Sequence, residues 1–301
     1  MRKTYRMAWG GHRLELGRRT CIMGIVNVTP DSFSDGGRFL NHETAVAQGL
    51  RLVAEGADIL DIGGESTRPF SDPVSIETEL ARVLPVIEAL ARQVSIPISI
   101  DTMKAAVARE AIAAGAAMVN DISALRHDPQ MADTVAQAEV PLILMHMLGT
   151  PKTMQQAPRY DDLFGEIEAF LAEAMTRAGN AGVPADRLII DPGLGFGKTV
   201  SHNLALIQGV QRFAALDAPV LIGHSRKAFI RRLLSGEPAS PLSPDDPAVA
   251  HGTLAISTAA ILAGAHLIRV HDVAPTRAAA RIADALMERD REVTSEKLHV
   301  S

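Results

Sequence analysis

The sequence predicts an α/β fold, a single (β/α)8 TIM barrel with a short N-terminal hairpin, and three observations carry that expectation. Apolar runs of strand length alternate with longer segments of helical periodicity, eight times in succession. Glycines stand where helices should stop before strands, in Glu55-Gly56-Ala57-Asp58, Ala114-Gly115-Ala116 and Ala263-Gly264-Ala265. Hydrophobic residues make up 47% of the chain but aromatics only 4%, a mix suited to buried parallel strands under small-residue helices. A doubly wound open sheet is the alternative, and it offers no reason for such regular repetition.

Taken in order, residues 1–20 hold the opening segment, where Arg13-Leu14-Glu15-Leu16 runs into Gly17 as a hairpin would. Strands are expected at 21–27, 58–63, 97–101, 117–121, 141–146, 187–191, 219–223 and 266–271. Helices are expected at 43–55, 77–93, 104–114, 130–138, 162–178, 202–215, 251–263 and 275–289. In 77–93 the residues Leu80, Val83, Leu84, Ile87 and Leu90 form one apolar stripe. The Pro- and Ser-rich segment 235–247 reads as a surface loop inside the seventh unit. The barrel is thus expected to occupy 21–290, and the charged residues 291–301 to form a frayed tail.

Composition also excludes several roles. A net charge of −5 gives no basic footprint for nucleic acid. No apolar run approaches the roughly 18 residues of a membrane span, and the N-terminus lacks a signal-peptide core, so a cytoplasmic protein is expected. Cys21, the single cysteine, sits in an apolar run and reads as a buried structural thiol.

Barrel enzymes build their sites at the C-terminal ends of the strands, and here almost every strand ends in a polar residue. These are Asn27, Asp61, Asp101, Asn120-Asp121, His146 and Asp191, followed by Ser225-Arg226-Lys227 and then Arg269 and His271. One of them would be a cap; a full rim of them is a site. Asp61, Asp121 and Ser123 are expected to cap or support rather than to touch a ligand. Asp101, Asn120 and Asp191 could read the donor edge of a flat nitrogen heterocycle. Arg68, Lys227, Arg269 and His271 suit phosphate oxygens or a ring carbonyl. No Ser-His-Asp arrangement or His-Glu-x-x-His motif is present, and the histidines lack zinc-ligand spacing. Gly193-Leu194-Gly195-Phe196-Gly197-Lys198-Thr199 imitates a phosphate-binding loop but fails as one, because Pro192 stands where the first glycine belongs.

Two long segments resemble the signatures of the dihydropteroate synthases: Met23 to Gly37, reading MGIVNVTPDSFSDGG, and Asp61 to Pro69, reading DIGGESTRP. The resemblance continues through Ser99-Ile100-Asp101-Thr102, Val119-Asn120-Asp121, Met145-His146-Met147, Asp191-Pro192-Gly193, Ser225-Arg226-Lys227 and Arg269-Val270-His271-Asp272. It covers roughly residues 10 to 285. It implies condensation of 6-hydroxymethyl-7,8-dihydropterin diphosphate with 4-aminobenzoate, releasing pyrophosphate, and a homodimer formed through the later helices. It further implies that Asp101, Asn120, Met145, Asp191, Gly223, Lys227 and Arg269 hold the pterin. Asn27, Arg269 and His271 would hold the diphosphate and its Mg2+, with Asn27 as the metal ligand. The loops after the first two strands would contribute Asp35, Thr67 and Arg68 to the reaction. Phe33, Pro69, Phe196, Ser225 and Lys227 would line the aminobenzoate pocket. The chain departs from the family pattern at Phe70 and His224, which bears on sulfonamide affinity and loop motion. A corrinoid-dependent methyltransferase with the same pterin-reading residues is the rival, but it would not need Ser66 to Pro69, Ser225 to Lys227 or Arg269 to His271.

Overall fold

The computed structural model describes residues 2–29, 38–67, 71–236 and 240–298, without the side chains of 38–41 and 289–298. Phe33, Asp35, Arg68, Pro69 and Phe70 lie outside the described residues. The hairpin pairs β1 (Tyr5–Trp9) with β2 (His12–Leu16) antiparallel across Gly10-Gly11. The barrel strands follow: β3 (Cys21–Asn27), β4 (Ile59–Gly63), β5 (Ile98–Asp101), β6 (Met118–Asp121), β7 (Leu142–Met145), β8 (Leu188–Asp191), β9 (Leu221–Gly223) and β10 (Leu267–Val270). All eight lie inside the segments expected from sequence, and all pair parallel in the order β8-β7-β6-β5-β4-β3-β10-β9. One isolated bridge, Ile190 to Val220, joins the two ends and all but closes the barrel.

The helices are α1 (Arg38–Ala54), α2 (Ile76–Ala91), α3 (Ala105–Ala113), α4 (Met131–Ala138), α5 (Leu163–Asn180), α6 (Val200–Gln208), α7 (Ala228–Ser235), α8 (Pro247–Leu262) and α9 (Val273–Leu298). Three turns that close helices do so as the glycines require. Gly56, Gly115 and Gly264 have φ of 97°, 115° and 110°, and the following N–H reaches back to Leu52, Ala111 and Ala260.

Two differences from the sequence reading have physical causes. The segment 202–215 is not one helix: α6 stops at Gly209, and 3-10 turns carry the chain from Val210 to Leu216. A side chain at Gly209 would meet the Phe164 ring at 2.4 Å, so close packing fixes glycine there and breaks the helix. The short α7 is not anticipated; only Phe229 and Ile230 are buried, and tertiary contact rather than periodicity makes it a helix. The backbone of α9 runs on to Leu298.

The core fills the barrel and the layer beneath the helices, with Ile22, Met23, Ile59, Leu60 and Ile62 fully buried. Cys21 is 1% exposed, and burial followed by the charge of Asp58 pushes its thiol up to about 12. No helix among the described residues is long and apolar enough to cross a membrane.

At the barrel floor, Arg2 is buried and donates to Thr20 Oγ1 at 2.9 Å, the Ala265 carbonyl at 2.6 Å and Asp284 Oδ1 at 2.9 Å. Asp284 also accepts from the Thr20 N–H at 2.7 Å, so one carboxylate fastens α9 to the start of β3. Removing it takes a carboxylate partner from a buried guanidinium. We expect Asp284→Ala to cost about 2–4 kcal/mol, read from the urea midpoint at unchanged slope.

Candidate active site

Strand register decides which rim residues meet. Asn27 pairs with Gly63, Gly63 with Asp101, and Asp101 with Asn120, so all four face the barrel interior at one level. Asp61, two residues before Gly63, faces the same way one layer deeper and is fully buried.

Arg269 reaches across from β10 to this group. Its Nε donates to Asp61 Oδ2 at 2.5 Å and its Nη2 to Asp101 Oδ2 at 2.7 Å. Burial acts against the guanidinium charge, but Asp61 and Asp101 outweigh it and hold its pKa above the ordinary value. Asn120 Nδ2 donates to the same Asp61 oxygen at 3.1 Å, so the amide is oriented with Oδ1 as its remaining acceptor. Burial raises the pKa of Asp101, with Arg269 opposing and Asp61 adding to the rise.

A second cluster stands beside the first. Asp191 pairs in register with Met145, and its Oδ1 accepts from the Gly193 N–H at 2.7 Å. A methyl group on Gly223 would sit 3.6 Å from Asp191 Oδ2 and 3.8 Å from Arg269 Cβ and Cδ. The missing side chain therefore leaves a slot between the carboxylate and the arginine. Lys227 donates to the Leu194 carbonyl at 2.6 Å, and its Nζ lies 4.4 Å from the centre of the Phe196 ring. Phe196 and Met145 pack with Ile122, Met147 and Met154 into an apolar wall. Burial raises the pKa of Asp191, opposed by Lys227, and burial lowers that of Lys227 to about 8, opposed by Asp191.

Ser225 and His271 meet at the far side, Oγ to Nδ1 at 2.9 Å. Asn27 Oδ1 points to the same mouth, 3.9 Å from where a methyl on Gly63 would lie. Thr67 leaves β4 toward the mouth and joins none of these hydrogen bonds. As expected from sequence, Asp121 supports: it accepts from the N–H groups of Ser123 and Leu125 at 2.8 and 2.7 Å. His224, one of the two departures, turns away from the mouth and bonds the Thr253 carbonyl and Ser257 Oγ of α8 at 3.0 and 2.9 Å. Sequence reasoning passed over Lys198 as anything but a failed phosphate-loop lysine. It is buried, with Nζ 2.9 Å from His146 Nδ1 and 3.0 Å from the Phe196 carbonyl.

A family of pterin binding enzymes matches residues 23–271 of this chain. The Escherichia coli dihydropteroate synthase is 45% identical over 266 residues, 88% of this chain and 91% of its own length. The Mycobacterium leprae dihydropteroate synthase is 47% identical over 253 residues, 84% of this chain and 88% of its own. The chain belongs to the dihydropteroate synthase family. Among solved structures of that family, the Xanthomonas albilineans enzyme with 4-aminobenzoic acid superposes with a TM-score of 0.86 at 48% identity, covering 95% of this chain and 99% of that one. The same bacterium's enzyme in complex with 7,8-dihydropteroate gives a TM-score of 0.82 at 46% identity, covering 94% and 98%.

Lys227 offers a direct check on the electrostatics of this site. With a folded pKa near 8 against an ordinary 10.5, the native state has shed a proton between those values that the unfolded chain keeps. Stability should therefore rise with pH across that window, by about 3 kcal/mol from this group. We expect the rise in unfolding free energy from pH 8 to 10.5 to be larger in the wild type than in Lys227→Met by about that amount. Equal slopes in both proteins would place the buried charge elsewhere.

Proposed function

We propose that the slot over Gly223 takes the ring of a dihydropterin, and that this chain carries out its family's reaction there. The reaction is a transferase reaction of folate biosynthesis, joining 6-hydroxymethyl-7,8-dihydropterin diphosphate to 4-aminobenzoate with loss of pyrophosphate. The observation that carries this reading is the slot at Gly223, which lies between the Asp191 carboxylate and Arg269, with Lys227 near enough to Asp191 for their charges to interact.

In this reading Asp191 accepts from the ring N–H and the 2-amino group, and Asn120 Oδ1 accepts along the same edge. Lys227 donates to the ring carbonyl, using protons not committed to Leu194. Asp101 keeps one oxygen on Arg269 and has the other for the N–H of the reduced ring. The C–O bond to the diphosphate breaks with its electron pair leaving on pyrophosphate. The amine nitrogen of 4-aminobenzoate then bonds the methylene carbon and gives up a proton. No protein nucleophile is required, so the work of the site is positioning and the stabilisation of departing charge. Arg269 is the cation assigned to that charge, with the His271 imidazole beside it and Arg68 following Thr67 in the chain. Phe196, Ser225 and Lys227, with Phe33 and Pro69, are the residues assigned to the aminobenzoate, and Asp35 to the reaction.

Magnesium is the ion assigned to the diphosphate. The chain's donor there is the Asn27 amide oxygen, a hard neutral ligand that fits a cation taking most of its shell from diphosphate and water. Among the described residues no group of three or more His, Cys, Asp or Glu forms a competing cage. Bound there, the ion would neutralise charge on the leaving group.

The proposal includes a cytoplasmic homodimer. Leu262 on α8 and Ile282 and Leu286 on α9 are 46%, 66% and 53% exposed, and the two helices pack side by side. Such apolar exposure on adjoining helices suits a second copy of the chain.

Pyrophosphate release tests the reading. The protein should release pyrophosphate from the pterin diphosphate only when 4-aminobenzoate is added, and a methyltransferase would release none. Release at the same rate without the amine would sink the assignment.

Asp191→Asn is the sharper probe of the slot. An amide offers one acceptor and one donor, so it opposes one of the ring's N–H groups. We expect pterin diphosphate affinity to fall by about 2–4 kcal/mol with the fold retained. Calorimetry with unchanged affinity would remove Asp191 from the site.

A further inference from the structure

We propose that Lys198 and His146 are a positioning pair. The lysine, seated between the imidazole and the Phe196 carbonyl, holds the Phe196 ring at the height that walls the slot over Gly223. The inference rests on the reading of that slot as the ring site.

The segment after β8 is held carbonyl by carbonyl. Leu194 O accepts from Lys227 at 2.6 Å, Gly195 O from Gln155 at 2.6 Å, Phe196 O from Lys198 at 3.0 Å and Gly197 O from Tyr160 at 2.9 Å. Its glycines Gly193, Gly195 and Gly197 all have positive φ, at 70°, 81° and 67°. A methyl on Gly193 would lie 1.9 Å from the His146 carbonyl oxygen, so the turn is pressed directly onto the chain leaving β7. A backbone wound this way has no ladder of its own, and side chains fix its height.

Among those four donors Lys198 is the one whose acceptor belongs to Phe196 itself. It is only 3% exposed, and its two recorded acceptors, a carbonyl and an imidazole, are both neutral. Burying an amine against neutral partners is costly and fixes it in place. His146 is an equally rigid partner. Its backbone N–H donates to the Asp191 carbonyl at 2.9 Å, and its ring meets the Phe170 ring edge-on with centroids 4.8 Å apart. Burial, with Lys198 and Arg126 adding, pushes its imidazole down to about 2, so Nδ1 stands as an acceptor for the lysine. This pair gives a role to His146 and to the lysine of the glycine-rich segment, neither of which touches the ring in the proposed pose.

The test compares wild type with Lys198→Met, His146→Leu, the double variant and His146→Gln. Calorimetry with pterin diphosphate, kcat and KM for both substrates, and thermal unfolding are measured on each. We expect Lys198→Met and His146→Leu each to weaken pterin diphosphate binding about tenfold, and the double variant to be no worse than either. Turnover at saturation should change far less than KM. His146→Gln keeps an acceptor for Lys198 Nζ and should recover most of the affinity. Variants that unfold earlier yet bind with wild-type affinity would reduce the pair to a structural role and overturn the inference, as would additive losses in the double variant. Should Lys198→Met fail to fold, the contrast between His146→Leu and His146→Gln decides the matter by the same reading. A wild type that does not bind the pterin diphosphate would overturn the ring assignment and this inference together.

Discussion

The guanidinium of Arg269 held between two carboxylates is the constraint on which the barrel mouth depends. Three strands meet in it: β10 supplies the cation, β4 supplies Asp61 and β5 supplies Asp101. A buried carboxylate such as Asp61 is costly in isolation, and the arginine and the Asn120 amide together offset that cost. One contact thereby fixes three things: the plane of Arg269, the amide orientation of Asn120, and a polar floor beneath the slot. Take away Asp61, and the arginine is no longer held flat nor Asn120 turned with its oxygen outward. A buried ion pair is by itself weak evidence of stability, because desolvation can cancel its attraction; what this one visibly sets is orientation.

The site joins groups whose ionisation is opposed by burial. Burial raises Asp191 and lowers Lys227, and in each case the other's charge opposes the shift. A ligand that offers donors to Asp191 and an acceptor to Lys227 would satisfy both at once. That complementarity belongs to a heterocycle with an amidine-like edge and a carbonyl beside it.

Much of this was legible in the sequence because parallel barrel strands are buried on both faces. Segments such as Ile98 to Asp101 and Leu188 to Asp191 announce themselves as apolar runs that stop at a carboxylate. The rim residues could be named for the same reason, and Asp121 and Asp61 could be marked as supports. What escaped was non-local. The short α7 is amphipathic over only eight residues and needs its neighbours to be a helix. Gly209 reads as an ordinary glycine until Phe164 is packed against it. Lys198 looks like part of a phosphate motif, because the partners that define it, His146 and the Phe196 carbonyl, come from a different strand and from a backbone turn. The arrangement of Arg269 toward Asp61 as well as Asp101 also required the register of β4, β5 and β10 to be known.

The joint between β8 and β9 has a consequence for how the molecule breathes. Elsewhere around the barrel the strands share continuous ladders, but here a single bridge from Ile190 to Val220 spans the gap. Amide protons along this joint should be the first of the barrel to exchange with solvent, since local opening starts where the fewest bonds must break together. Asp191 ends one edge of the joint, and Gly223 and Lys227 follow the other. A flat ring bound there as proposed would bridge both sides of this joint, and exchange along it would slow when the ligand binds.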